Sequence, residues 1–135
     1  MGQAVARHMI ARGRGKIINI ASVAGLKGTA AGVHTIAYNT SKAAMINFTR
    51  TLAAEWGEYG ITVNALAPGF FPSRMTRGTL EHLGAEKLAA AAPLRRIGDD
   101  DDLKGAALLF ASAAGKHITG QILAIDGGVS SVNGG

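Results

Sequence analysis

The sequence predicts one α/β domain over residues 1–135, built on a parallel sheet of the doubly wound kind. Three short runs rich in β-branched residues carry this prediction, at residues 17–20, 61–66 and 122–125. The runs are apolar almost throughout instead of alternating, which is typical of strands covered on both faces. Helical patterns separate them, and strand–helix–strand units of this kind form parallel sheets with right-handed crossovers.

The first long helix is predicted from Tyr38 to about Gly57. Its apolar residues recur at helical spacing, which predicts one stripe facing the sheet. The members of that stripe are Met45, Phe48, Leu52 and Trp56.

A second helix, before the last strand, is predicted to begin in the acidic run Asp99 to Asp102. Four consecutive aspartates can suggest a metal site. Capping is the preferred interpretation. Carboxylates in a first helical turn accept hydrogen bonds from its free N–H groups and interact favourably with the positive end of the helix dipole. The four histidines lack metal-ligand spacing, so no metal site is predicted. The apolar face of this helix is expected to comprise Leu103, Ala106, Ala107 and Phe110.

The chain begins with an amphipathic helix, Gln3 to about Arg12, that has no strand in front of it. A three-stranded parallel sheet that starts this way has an unprotected edge where another strand should pair. We therefore expect N-terminal strands of the sheet to be missing from this sequence.

Composition argues against several classes of protein. The formal net charge is +5, but lysine and arginine are dispersed from Arg7 to Lys116 without a basic stripe among aromatics, so no nucleic-acid partner is expected. Cysteine is absent, which excludes disulfides and thiolate metal sites. No apolar run of about 18 residues suits a membrane span and no signal peptide opens the chain, so a cytoplasmic protein without membrane partners is expected.

The strongest chemical pattern is Tyr38 with Lys42 at the start of the long helix. Residues four apart lie on one helix face, so both head groups can enter one pocket. The ammonium favours the phenolate form of the tyrosine, and such a pair can exchange a proton with an alcohol or a carbonyl oxygen. The spacing alone also arises by chance, and a tyrosine at the rim is the alternative.

Two further features point to the same place. Ser22 lies just past the first strand, and Pro68-Gly69 forms a turn just past the second. Because ligands of open α/β sheets bind outside the carboxyl ends of the strands, these residues are expected to share one crevice with the Tyr/Lys pair. A serine that only caps the strand end is the alternative. A serine hydrolase is not predicted, because no G-x-S-x-G surrounds Ser22.

With these residues, the sequence resembles the short-chain dehydrogenases/reductases, a family with an extended Rossmann fold. The resemblance runs from about Gln3 to Val132. Within the family, the sequence is similar to gluconate or polyol dehydrogenases and to 3-oxoacyl-carrier-protein reductases. The matching stretches are Gly15–Ser22 (GKIINIAS), Tyr38–Lys42 (YNTSK), Gly60–Gly69 (GITVNALAPG), Ile118–Gly120 (ITG) and Asp126–Gly128 (DGG).

The resemblance implies hydride transfer between NAD or NADP and a secondary alcohol or ketone. Tyr38 would be the general acid/base, Lys42 would favour its phenolate and bind the nicotinamide ribose, and Ser22 would hold the substrate oxygen. The residues expected to contact the cofactor are Tyr38, Lys42, Pro68, Gly69, Phe71 and Ser73.

The departures from the family are as informative as the matches. Its glycine-rich phosphate loop, T-G-x-x-x-G-x-G, and its catalytic asparagine have no counterpart here. Gly13-Arg14-Gly15 is no substitute, because it follows a helix and precedes a strand. We therefore expect the C-terminal part of a Rossmann-like doubly wound sheet, and a 135-residue chain that turns over no substrate alone.

The segment from Phe70 to Pro93, here termed the lid segment, corresponds to the family's variable substrate lid. Its Phe70 and Arg74 suit a carbonyl or hydroxyl compound that carries a carboxylate or phosphate, with a solvated arginine as the alternative. His34 is a further candidate substrate contact, with a solvated loop histidine as the alternative. Sugar acids, polyols and 3-oxoacyl compounds are the expected substrates.

A second hypothesis is non-catalytic. The chain would then be a remnant that pairs with itself or with a longer homologue through its helices and its open sheet edge. It predicts oligomers, no nicotinamide binding and no effect of Tyr38→Phe. The family resemblance also implies a homo-oligomer, a dimer or a tetramer.

Overall fold

The computed structural model describes residues 2–132. In chain order the elements are α1 (Gly2–Arg12), β1 (Gly15–Ile20), α2 (Ile36–Trp56), β2 (Ile61–Pro68), α3 (Arg77–Leu83), α4 (Ala85–Ala91), α5 (Asp100–Ala111) and β3 (Ile122–Ile125). Short 3-10 turns follow β1, α2, α5 and β3, at Val23–Gly25, Gly57–Tyr59, Ala113–Gly115 and Val129–Ser131. The three predicted strands and the helices between them are all present.

The sheet has the order β1-β2-β3, and both pairs of strands are parallel. The strand β2 is central and most buried, as an apolar run flanked by two strands must be. Its partners run in register from Gly15 opposite Ile61 to Ile20 opposite Leu66, and from Ala65 opposite Ile122 to Pro68 opposite Ile125. The predicted α/β class with a parallel sheet is confirmed.

The helix α2 covers one face of the sheet, and one prediction about it is wrong. Leu52 is buried, and Met45 and Trp56 pack against the core as expected, but Phe48 is 52% exposed. The position next to it, Thr49, is fully buried instead. A threonine can occupy that place because its hydroxyl donates to the Met45 carbonyl at 2.8 Å and accepts from Asn19 Nδ2 at 3.0 Å.

The helix α5 agrees with both predictions made for it. Phe110 is buried and the other three residues of the expected apolar face are half-buried. Asp99 is the N-cap: its side chain accepts from the Asp101 N–H at 3.0 Å, and Asp102 accepts from the Asp99 N–H at 2.9 Å. The acidic run is therefore a capping box, with its carboxylates at the positive end of the helix.

A buried amide positions the approach to β3. Asn64, on β2, is 1% exposed, donates from Nδ2 to the Ile118 carbonyl at 2.9 Å and accepts from the Gln121 N–H at 3.0 Å. The Thr119 hydroxyl adds a further bond by accepting from the Val63 N–H at 3.0 Å. These bonds satisfy backbone groups that would otherwise be buried without partners, and they fix where the last strand begins.

Candidate active site

The carboxyl ends of all three strands meet at one edge of the sheet. The segment after β1 leads to Ser22, the segment after β2 to Gly69, and the segment after β3 to Asp126. Pairing continues past β1, because the Ala21 N–H donates to the Leu66 carbonyl at 2.8 Å. This is the edge at which ligands of open α/β sheets bind.

Ser22 begins the 3-10 turn that follows β1. It is 7% exposed, and its Oγ accepts from the Ala24 N–H at 3.1 Å. The serine thus does cap the turn, as the alternative interpretation proposed. A hydroxyl has one donor and two acceptor lone pairs, so the bond to Ala24 leaves the donor available to a ligand.

Tyr38 and Lys42 lie on one face of α2, as their spacing predicts. The Lys42 ammonium lies 5.6 Å from the centroid of the Tyr38 ring, within cation–π range. Its Nζ donates to the carbonyl of Ile20, the last residue of β1, at 3.0 Å. This bond brings the start of α2 to the strand end that carries Ser22.

Gly25 explains how closely the two segments pack. A Cβ at this glycine would lie 2.6 Å from the Lys42 carbonyl carbon and 2.8 Å from the Ala43 nitrogen. The turn that begins at Ser22 therefore rests directly on the backbone of α2 at Lys42. Ser22, Tyr38 and Lys42, here termed the Ser–Tyr–Lys corner, lie together at the carboxyl end of β1.

The Pro68-Gly69 turn lies at the end of the neighbouring strand. The Gly69 N–H donates to the Ile125 carbonyl at 2.9 Å, and a Cβ at Gly69 would lie 2.8 Å from the Asp126 Cβ. Glycine is needed here because the chain after β2 passes directly over the end of β3.

The remaining predicted cofactor contacts lie at the start of the lid segment. The Phe71 ring lies against Gly98, where a Cβ would overlap it. Ser73 is exposed, and its Oγ is 2.9 Å from the Thr76 hydroxyl, in the turn before α3. Thr76 also donates to the Phe71 carbonyl. Ser73 is therefore engaged in the local structure of the lid.

The three predicted substrate residues are not brought together. His34 is exposed in the loop between the Ser22 turn and α2. Arg74 is exposed and lines a shallow groove on the lid segment with Arg77 and Leu80. Phe70 lines a different and larger cavity. No contact among the described residues joins His34 or Arg74 to the Ser–Tyr–Lys corner.

The larger cavity, of about 560 Å³, lies between the lid segment and the end of β3. Apolar side chains from Phe70, Phe71, Leu88 and Leu94 form much of its wall. Its charged lining residues are Arg96, Asp102 and Asp126.

Hydrogen bonds satisfy the charges in this cavity. Arg96 binds Asp102 through both guanidinium ends at 2.6 and 2.7 Å, and this bond, with the Asp99 N–H, holds the pKa of Asp102 well below its usual range. Burial alone would raise the pKa of Asp126. Hydrogen bonds from Ser130 at 2.7 Å and Gly128 at 2.9 Å outweigh burial, and with Lys27 nearby they keep that pKa below its ordinary value.

Asp126 and Asn64 lie in stretches that match the family, but their structural roles were not predicted from the sequence. Asp126 anchors the C-terminal turn, because its carboxylate accepts hydrogen bonds from backbone N–H groups. The two glycines that follow it both have positive φ, a conformation that glycine adopts readily. Asn64 could have been noticed as the one strongly polar residue in the middle of an apolar run. The Arg96–Asp102 pair joins the loop before α5 to the first turn of that helix, and no sequence pattern singled it out.

Within residues 2–132, no group of three or more His, Cys, Asp or Glu side chains is arranged to hold a metal ion. None of the described helices is long and apolar enough to cross a membrane.

A parallel sheet with a serine, a tyrosine and a lysine at its carboxyl edge defines a class of Rossmann-like oxidoreductases. The chain belongs to that class as a member of the short-chain dehydrogenase/reductase family. Residues 1–130 match the family described as enoyl-(acyl carrier protein) reductase.

Among its relatives is gluconate 5-dehydrogenase of Gluconobacter oxydans (strain 621H), 41% identical over 131 residues that cover 96% of this chain and 50% of the relative. The 3-oxoacyl-[acyl-carrier-protein] reductase of Chlamydia muridarum is 40% identical over 127 residues, with 94% and 50% covered. The crystal structure of gluconate 5-dehydrogenase from Burkholderia cenocepacia J2315, in complex with NADP and tartrate, superposes with a TM-score of 0.90 at 41% identity, covering 98% of this chain and 51% of that one. The chain thus spans about half the length of the relatives it matches.

The corner fits the nicotinamide ribose end of such a cofactor. Lys42 offers an ammonium with three N–H donors, of which one is used by Ile20, and the Tyr38 ring lies beside it. No stretch of the sequence matches the family's glycine-rich phosphate loop. The donor set therefore suits one end of a dinucleotide.

Proposed function

We propose that this chain provides the proton-transfer site of an NAD(P)-dependent oxidoreductase that acts on a secondary alcohol or its ketone. The observation that carries the proposal is the bond from Lys42 Nζ to the Ile20 carbonyl at 3.0 Å, with the Tyr38 ring beside the same ammonium. It joins the helix that bears the acid/base to the strand end that bears Ser22.

Each residue of the corner has a separate task. Bound nicotinamide would supply or accept the hydride. The Tyr38 hydroxyl would give a proton to the substrate oxygen during reduction or take it during oxidation. The Ser22 hydroxyl would donate to the same oxygen, and the Lys42 charge would stabilise the phenolate left at Tyr38 and bind the ribose hydroxyls.

The substrate class proposed is a sugar acid, a polyol or a 3-oxoacyl compound. Two relatives support it, since one is named a gluconate 5-dehydrogenase and the other a 3-oxoacyl-[acyl-carrier-protein] reductase. Pro68, Gly69, Phe71 and Ser73 are proposed to contact the cofactor, and Phe70, His34 and Arg74 remain proposals as substrate contacts.

We expect the 135-residue chain alone to show no NAD(P)H oxidation, because it has no glycine-rich loop for the phosphates. The test compares it with a fusion in which the N-terminal half of the Gluconobacter oxydans enzyme precedes Gly2. The fusion should oxidise NADPH with a keto acid. Turnover by the chain alone would disprove its proposed inactivity.

Tyr38→Phe in the active fusion should lower kcat/KM by about 10²- to 10⁴-fold, the usual contribution of a positioned acid/base. Tyr59→Phe is the matched control, because Tyr59 is the second tyrosine of the chain and lies at the opposite end of β2. Equal activity of the two variants would contradict the proposed role of Tyr38.

The non-catalytic alternative has one observation in its favour. Among the described strands, β1 pairs on one side only, so its other edge offers free backbone groups to a further strand. Sedimentation of the chain distinguishes the two functions: an oligomer that binds no NADP, and a fusion insensitive to Tyr38→Phe, would favour the interaction module. A dimer or tetramer is compatible with both.

A further inference from the structure

The charged side chains in the wall of the cavity beside the lid segment are already engaged in hydrogen bonds within the protein. Arg96 is held by Asp102 through two short bonds, and the two carboxylate oxygens of Asp126 accept the N–H groups of Gly128 and Ser130. A charged ligand therefore needs a partner at the rim.

Lys27 supplies a charge at that rim. Its Nζ donates to the carbonyl of Val129 at 3.0 Å, and Val129 lines the cavity. An ammonium carries three N–H donors, and the described residues provide one acceptor. Two donors are thus left for a ligand.

The path of the chain places Lys27 between the cavity and the Ser–Tyr–Lys corner. Gly25 rests on the backbone of α2 without space for a Cβ, and the Leu26 N–H donates to the Val23 carbonyl at 3.0 Å. The turn from Ser22 to Leu26 is therefore closely held, and Lys27 is the next residue. Its backbone directly follows the Ser22 turn, and its Nζ binds the carbonyl of Val129, a residue of the cavity wall.

We propose that Lys27 is a specificity-determining residue that binds the carboxylate of a sugar-acid substrate whose reacting hydroxyl or ketone lies at the corner. The inference rests on the proposed function and names the substrate class of that site. Arg74, the arginine that the sequence favoured for this task, lines the separate groove on the outside of the lid segment. Lys27 follows the Ser22 turn in the chain, and its Nζ binds the carbonyl of Val129, which lines the cavity.

The test measures binding, so that it needs no hydride transfer. Ligand-detected NMR titrations of the 135-residue chain compare gluconate with sorbitol, a six-carbon polyol without the carboxylate. Lys27→Gln should weaken gluconate binding about tenfold or more, which is the loss expected for one charge-assisted hydrogen bond. Lys27→Arg should retain gluconate binding, and sorbitol binding should be the same in all variants.

Two controls separate recognition from structural support. Lys16→Gln removes the same charge from the start of β1, about 13 Å of strand away from Ile20, and should leave gluconate binding unchanged. Added salt should weaken gluconate binding by the wild type and have little effect on Lys27→Gln. A loss of sorbitol binding in Lys27→Gln would mean that Lys27 only ties Val129 in place, and would overturn the proposal.

Unchanged gluconate binding in Lys27→Gln would also overturn it, and so would a wild-type chain that does not bind gluconate. Failure of the proposed function is seen elsewhere, as a fusion that transfers no hydride or is insensitive to Tyr38→Phe. Gluconate binding that depends on Lys27 in a protein without hydride transfer would support the recognition site and refute the enzymatic proposal.

Discussion

The Ser–Tyr–Lys corner and the lid segment are adjacent, but they are held in place in different ways. Backbone contacts hold the corner: Gly25 touches the main chain of α2, and Lys42 binds the main chain of β1. The lid segment is held near its ends: the Gly98 N–H donates to the Phe70 carbonyl at 2.9 Å, and the Arg96 side chain, just past the segment, binds Asp102. Between these ends the lid exposes large groups such as Met75, 72% exposed.

The difference indicates how such a protein can change substrates without losing its chemistry. A group positioned by main-chain contact keeps its place whatever side chains surround it. A segment fixed at its ends can be replaced between them without moving the corner. Function-bearing loops on a fixed scaffold are a general arrangement, and here the two parts follow consecutive strands.

The largest effect is expected from Gly25→Ala. The new Cβ would meet the main chain of Lys42 and Ala43, which cannot move without shifting α2. The free energy of unfolding should therefore fall by about 1–3 kcal/mol. Urea unfolding measures this change. Gly28→Ala in the same loop is the control, since a Cβ there meets nothing within 4 Å and should change stability by no more than about 0.5 kcal/mol. Equal effects would show that the corner is not closely packed.

An effect of intermediate size, present at neutral pH and lost in acid, is expected from Asp102→Asn at the base of the lid. The hydrogen bond from Arg96 and the Asp99 N–H lower the pKa of Asp102 in the folded state. A lowered pKa adds stability that is present above the unfolded-state value of about 4 and is lost as the pH falls below it. The variant should be less stable than the wild type at pH 7.

Urea midpoints between pH 7 and pH 2 test this prediction. The wild-type midpoint should fall more steeply below about pH 4 than that of Asp102→Asn, so that the two curves converge in acid. Asp101→Asn is the matched control, because among the described residues the exposed Asp101 carboxylate binds the exposed Lys104 alone, and the backbone N–H of residue 101 is kept. Parallel curves for wild type and Asp102→Asn would contradict a stabilising role of the Arg96–Asp102 pair.

The smallest effect is expected from Gly98→Ala, where the lid meets its anchor. The new Cβ would overlap the Phe71 ring, but that ring is the end of a side chain and can rotate, at a cost of about 1 kcal/mol or less. NMR shifts of the Phe71 ring should change while those of Tyr38 do not. A Cβ at Gly78, within α3, would meet nothing within 4 Å. Gly78→Ala should therefore raise the free energy of unfolding by up to about 1 kcal/mol. A Tyr38 shift in Gly98→Ala would mean that lid and corner are coupled.

Much of the fold was predictable, because it follows from local patterns. Continuous apolar runs indicated β1, β2 and β3, and the acidic run indicated the start of α5. The error at Phe48 had a physical cause. Hydrophobicity favoured Phe48 over Thr49 for the buried position, but Thr49 can be buried because Asn19 and Met45 supply hydrogen-bond partners for its hydroxyl. The helices α3 and α4 also escaped prediction, since each has only seven residues and no side-chain cap.

The sequence by itself determined the class of sheet, the shared face of Tyr38 and Lys42, and the placement of Ser22 at a strand end, because periodicity and strand order need only neighbouring residues. Tertiary structure decided the bond from Lys42 to Ile20, the contact of Gly25 with α2, and the position of Lys27 at Val129. These contacts join residues far apart in the chain, and their geometry exists only after the crossovers have placed the elements together.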